Sequence, residues 1–174
     1  MESLLVVTAV ALGMHLISKR SNVDVFPHSI AFIRASKTWN IPLPIMLATS
    51  EWETGGSFDP KTINFEKEAD LRKGRDVDSI GLGAILWPDT AQSLDSNATR
   101  EKLLEPNYNL NLMGQYYDKQ FKRYNESRSK EIFPYKAVAA YNAGTARYLA
   151  DGKFTNQRYV DEVYSRWNRW KLIA

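Results

Sequence analysis

The chain has no cysteine, so disulfide frameworks, thiolate nucleophiles and thiolate metal ligands are excluded. Its two histidines, His15 and His28, are too few for a histidine metal cage, and no metal or organic cofactor is expected. It has no internal repeat and no low-complexity tract. A net charge of +3, from 23 basic and 20 acidic side chains, lacks the dense basic stripe that nucleic acid requires, so no nucleic-acid partner is expected. Long hydrophobic runs are absent too. The one apolar segment, Leu4 to Ile17, is shorter than the roughly 20 residues of a membrane span. Glu2 stands where a signal peptide would carry Lys or Arg. Residues 1–20 therefore have two readings: a buried extra helix, or a short membrane anchor or uncleaved export signal. Residues 21–174 form one domain of ordinary globular composition.

Apolar spacing in this domain is helical and strand alternation is scarce, so the expected fold is mainly α, with six or seven helices and at most a small β element. One helix is read from Phe26 or Pro27 to Thr38, with Ile30, Ile33 and Ala35 among its apolar positions. In the next, Asn40 is the expected N-cap, Pro42 lies in the first turn and Gly55-Gly56 form the stop. Ser57 to Asp78 reads as a polar loop region that can hold a short strand or helical turn. Leu110, Met113, Tyr117 and Phe121 mark a long helix. Another runs from Pro134 to Asn142–Gly144, with a further short helix expected after it. Tyr159, Val163, Trp167 and Trp170 share one face of the last helix.

The stretch "SEWETGG" places Glu51 and Glu53 two residues apart, on nearly opposite sides of a helix. Glu53 falls in the last turn, beside unpaired carbonyls and aromatic groups. Both disfavour the anion, which is what a general acid near neutral pH needs. Glu51 reads as a helix-surface acid. Taken alone, both glutamates also fit a solvated helix surface. Further on, "AAYNAGTARY" sets the ring and hydroxyl of Tyr141 beside the amide of Asn142, a combination suited to sugars. A core tyrosine with an Asn-Ala-Gly cap is the other reading.

Together these segments resemble the soluble-lytic-transglycosylase family of the lysozyme superfamily, enzymes that cleave peptidoglycan glycan strands. The likeness runs in order from about Trp39 to Val163. "IPLPIMLATSEWETGGSFDP" is similar to the family's Glu-Ser helix, with Glu53-Thr54 in the Glu-Ser place. "GLGAILWPDTA" is similar to its Gly-Leu-Met-Gln-Ile-x-Pro-x-Thr-Ala element, with Gly83-Ala84 where the Gln belongs. The segment around Gly114 and Tyr117 resembles Asn-x-x-x-Gly-x-x-Tyr, although Leu110 takes the Asn position between Asn109 and Asn111. "AYNAG" is intact from Ala140 to Gly144, and "RYVDEV" resembles the closing Tyr-Val-x-x-Val.

The resemblance implies a lysozyme-like helical domain in which Glu53 is the single acid and base. It would cleave the MurNAc–GlcNAc β-1,4 bond and leave a 1,6-anhydroMurNAc end. Tyr141, Asn142, Thr54, Tyr159 and the Gly81-Leu82-Gly83-Ala84 turn are the implied substrate contacts. Two alternatives accompany this reading. One is a hydrolysing, goose-type muramidase with Asp76 or Asp78 orienting water, and the other is an inactive peptidoglycan-binding component. The implied setting is the cell envelope or periplasm, with membrane contact through residues 1–20, or a phage virion or secretion complex that opens the wall locally.

Overall fold

The computed structural model describes residues 26–66, 74 and 76–174, so the segment 1–20 lies outside the described residues. Among the described residues there are seven helices and one three-stranded sheet, which matches the expected mainly α fold with a small β element.

Helix α1 spans Ser29–Trp39 and buries Ala31, Phe32 and Ala35. Ile30, expected on the apolar face, is 68% exposed instead. Asn40 does not open the next helix. It closes α1 in the left-handed conformation at φ 51°, which Asn tolerates better than most residues. Helix α2, Leu43–Glu53, starts after Pro42, with Pro44 in its first turn where a missing N–H costs nothing. Its residues Pro44 to Ser50 are all buried, so α2 is the central helix rather than an amphipathic surface one. Burying side chains the size of Ile45, Met46 and Leu47 stabilises by ~1.5–3 kcal/mol each.

The charged stretch after α2 folds into strand β1, Ile63–Phe65, paired antiparallel with β2, Asp78–Ile80, which pairs in turn with β3, Ile85–Trp87. Asn64 lies opposite Ser79 in this register. Short helices α3, Asp89–Leu94, and α4, Arg100–Leu103, lead to the long α5, Pro106–Tyr124. Leu110, Met113, Tyr117 and Phe121 are buried as their spacing predicts. At Gly114 an added Cβ would fall 3.0 Å from Trp39 Cγ, so only glycine lets α1 approach α5 this closely. Trp39 Nε1 then donates to Asn111 Oδ1 at 2.9 Å.

Helix α6, Tyr135–Ala143, ends at Gly144 with φ 73°. The short helix expected after it is replaced by a small hairpin. Leu149 N donates to Lys153 O at 2.7 Å and Thr155 N to Arg147 O at 3.0 Å, with Tyr148 bridging Phe154. Gly152 at φ 82° supplies the turn, and burial of Phe154 anchors it. The last helix α7, Gln157–Trp170, packs Tyr159, Val160, Val163 and Trp167 inward beside α2.

Candidate active site

The end of α2 separates the two glutamates. Glu51 turns to α7, where its carboxylate accepts from Arg169 Nη2 and Trp170 Nε1, both at 2.7 Å. Arg166 lies 3.9 Å from the same carboxylate and sits over the Trp52 ring. Glu51 is thus a clamp between helices rather than a free surface acid.

Glu53 points the other way, into a cleft of about 370 Å³ lined also by Glu66, Ser79, Ala84, Ile85, Leu86, Thr90, Tyr116 and residues 141–144. Burial pushes its carboxyl up from the ordinary 4.5 to about 7. The Tyr159 hydroxyl opposes this in part and the negative charge of Glu66 adds to it. The Tyr159 hydroxyl is buried and makes no well-aligned hydrogen bond, so its contact with Glu53 is close enough to bias titration without being a full bond. Below pH 7, Glu53 is a neutral acid able to donate a proton into the cleft.

Tyr141 forms the wall of the cleft nearest the core. Its ring stacks on Tyr117 at 4.3 Å, and its hydroxyl donates to Gly83 O at 2.6 Å. Tyr117 is held in turn by Thr49 Oγ1 at 2.5 Å. Asn142 is exposed on the cleft rim, and its Oδ1 accepts from Asn156 Nδ2 at 2.9 Å. Asn156 also donates to Ala139 O at 3.0 Å, which ties the hairpin segment to the end of α6.

The Gly81–Ala84 turn between β2 and β3 is fixed from behind by Asn109. Asn109 Nδ2 donates to Ile80 O at 2.7 Å and to Leu103 O at 2.9 Å, while its Oδ1 accepts from Gly83 N at 2.7 Å. A Cβ on Gly81 would collide with the Asn109 side chain, and one on Gly83 would lie 2.9 Å from Met113 Cβ. These glycines make room for Asn109 and α5. The turn was expected to contact substrate, but its two glycines answer to Asn109, which the sequence does not distinguish from Asn111.

Of the residues singled out in the sequence, the structure brings Glu53, Ala84, Tyr141 and Asn142 together in the cleft. Gly81, Leu82 and Gly83 stand behind it as its frame, with Leu82 fully buried. Thr54 is turned inward: its hydroxyl donates to Ser50 O at 2.8 Å and accepts from Phe58 N at 3.0 Å, which caps α2 and holds Glu53 at the helix end. Tyr159 acts from the core side of Glu53. Neither Asp76 nor Asp78 lines the cleft. Asp78 is buried in an ion pair with Arg100, because strand alternation in β2 points it away from Ser79.

The lining residues that the sequence did not single out include Glu66, Ser79, Thr90 and Tyr116. Glu66 is hidden among the acids of "NFEKEAD", where no periodicity marks one from another. The short run Ile63–Phe65 carries the signal that was available. Alternation puts Asn64 and Glu66 on one face of the strand and Ile63 and Phe65 on the other. Asn64 Nδ2 donates to the backbone carbonyl of Glu53 at 3.2 Å, so Glu66 extends along the same side. Among the described residues no cluster of His, Asp and Glu is arranged to hold a metal ion, and no helix is long and apolar enough to cross a membrane.

Residues 30–165 match the family described as Transglycosylase SLT domain. Among solved structures, the chain is similar to an inactive variant of lytic transglycosylase Slt from Pseudomonas aeruginosa, in which one glutamate is replaced by glutamine. The identity is 18% and the TM-score 0.57, over 83% of this chain and 24% of that one. The chain therefore spans about a quarter of that protein's length, and the likeness establishes a common fold. No curated protein sequence matches the chain.

Proposed function

The chain belongs to the transglycosylase SLT domain family, and we propose that it cleaves the MurNAc–GlcNAc β-1,4 bond of peptidoglycan as a lytic transglycosylase. The observation that carries this reading is Glu53 itself, a protonatable carboxyl with its pKa near neutrality, facing a cleft that the Tyr141-Asn142-Ala143-Gly144 segment also lines.

In the first step the Glu53 proton passes to the glycosidic oxygen and the bond from C1 to that oxygen breaks. The acetamido carbonyl of the same muramic sugar then bonds to C1 and holds its positive charge. In the second step the C6 hydroxyl oxygen attacks C1, its proton returns to Glu53, and the acetamido oxygen leaves. A 1,6-anhydro end results and no water is consumed. Glu53 is neutral again for the next strand, which fits a single acid whose pKa lies near 7. The loss of activity in the Pseudomonas protein on a glutamate-to-glutamine change supports a glutamate in this role.

Hydrolysis on the same fold is the second reading, and the presence of a second carboxyl group, Glu66, in the cleft that Glu53 lines is what favours it. The water-orienting acid would then be Glu66, since Asp76 and Asp78 stand outside the cleft. For the setting, we propose action at the cell envelope, with the apolar residues 4–17 making membrane contact. Local wall opening by a phage virion or a secretion machine is a further setting for this activity. Solubility with and without residues 1–20, in the presence and absence of detergent, tests the membrane contact. For the activity, clearing of a peptidoglycan suspension by the wild type is expected to vanish with Glu53→Gln and to persist with Glu51→Gln. Equal loss from both changes would overturn the assignment of Glu53.

A further inference from the structure

Two carboxylates face the cleft, and no Lys or Arg is among its lining residues. A site so charged disfavours an anionic intermediate and suits a cation. Glu66 is held for such a task. Its Oε1 accepts from Ser79 Oγ at 2.7 Å, which orients the carboxylate, and its backbone N donates to Val77 O at 3.1 Å, which fixes the main chain that carries it. Asn64, two residues before Glu66, is bonded to the carbonyl of Glu53, so the two acids are tied to one framework.

We propose that Glu66, oriented by Ser79, is a second catalytic group that accepts a hydrogen bond from the acetamido N–H of the sugar being cleaved. The proposal rests on the transglycosylase reading above. When the acetamido oxygen bonds to C1, the ring so formed carries positive charge, and much of it lies at the N–H. A carboxylate at that N–H stabilises the charged species more than the neutral substrate, and this difference lowers the barrier. Glu66 forms no covalent bond and keeps no proton. Glu53 supplies and recovers the one proton that moves. The division of labour follows from the surroundings. Glu53 lies at the end of a buried helix and is favoured as the neutral acid, whereas Glu66 is oriented by the Ser79 hydroxyl.

The test is steady-state cleavage of purified peptidoglycan by the full chain, with mass analysis of products, for wild type, Glu66→Gln, Glu66→Asp and Ser79→Ala. Glu66→Gln is expected to lower kcat about 100-fold with KM changed less than about threefold, because the amide keeps the shape and loses the charge. The products keep their anhydro ends, Glu66→Asp recovers part of the rate, and Ser79→Ala loses about fivefold to tenfold in kcat. Thermal unfolding of Glu66→Gln stays at the wild-type midpoint. A kcat for Glu66→Gln within about threefold of wild type would overturn the proposal while leaving the transglycosylase reading intact. So would a wild type that yields reducing ends and loses only those on Glu66→Gln, since Glu66 would then be a base for water. A lower unfolding midpoint with kcat and KM falling together would assign Glu66 a structural role and overturn it as well. A wild type that releases no product from peptidoglycan would remove the function and this proposal together.

Discussion

The Tyr141 hydroxyl lies 2.6 Å from the carbonyl oxygen of Gly83 and donates to it, which joins the end of α6 to the β2–β3 turn across the floor of the cleft. Asn109 grips the same glycine from the other side through its N–H. The cleft therefore has a wall whose backbone is fixed from two directions before any substrate arrives.

Removing the Tyr141 bond tests how much that fixation matters. Tyr141→Phe keeps the stack on Tyr117 but leaves the Gly83 carbonyl without this donor. A loss of about 1–2 kcal/mol in unfolding free energy is expected, seen as a shift of the denaturant midpoint. Activity on peptidoglycan should fall by about tenfold or more, because the turn that carries Ala84 and Ile85 loosens.

Asn109→Ala is expected to be more severe. Three buried hydrogen bonds disappear and their backbone partners are left unpaired, so about 2–4 kcal/mol of stability is lost. Chemical denaturation of the purified variant measures it. An unchanged midpoint would show that the turn holds without its clamp.

Glu51→Ala separates the two glutamates by measurement. The clamp to Arg169 and Trp170 is partly solvent-exposed, so its removal is expected to cost about 1–2 kcal/mol of stability. Once folded, the variant should keep its rate within about threefold of wild type, because the Glu51 carboxylate never reaches the cleft.

The raised pKa of Glu53 makes two linked predictions about pH. Cleavage needs the protonated acid, so kcat/KM is expected to fall about tenfold per pH unit above pH about 7. Stability follows the same proton. Below about pH 4.5 the carboxyl is protonated in both folded and unfolded chains and its stabilising contribution is fully present. As pH rises the unfolded chain ionises first, so that contribution is lost until the folded group ionises near pH 7. Glu53→Gln does not titrate, so above pH 7 it should exceed wild type by on the order of 3 kcal/mol, with the gap closing near pH 4. Thermal unfolding of both proteins across this range measures the gap.

What the sequence made legible was local. The stop at Gly55-Gly56 fixed the end of α2, and with it which glutamate faces outward from the helix terminus. Apolar spacing marked α5 and α7. The Tyr141-Asn142 pair was readable because it sits in the AYNAG signature at the end of α6. What stayed hidden depended on partners distant in the chain. Gly83 owes its smallness to Asn109 and Met113 on another helix, and Glu51 finds its partners on α7. Asn40, expected as an N-cap, is instead the left-handed C-cap of α1, a difference set by where the neighbouring helices lie. Glu66 was invisible because β1 is three residues long and sits in a charged stretch whose alternation is too brief to register.

The central claim is that Glu53 alone moves the proton and that the substrate supplies its own nucleophile. Digestion of purified peptidoglycan by wild type and Glu53→Gln, followed by mass analysis of the released muropeptides, tests it most directly. The account predicts 1,6-anhydromuramoyl ends from the wild type and no released product from Glu53→Gln. Reducing muramoyl ends from the wild type, or undiminished release by Glu53→Gln, would contradict it.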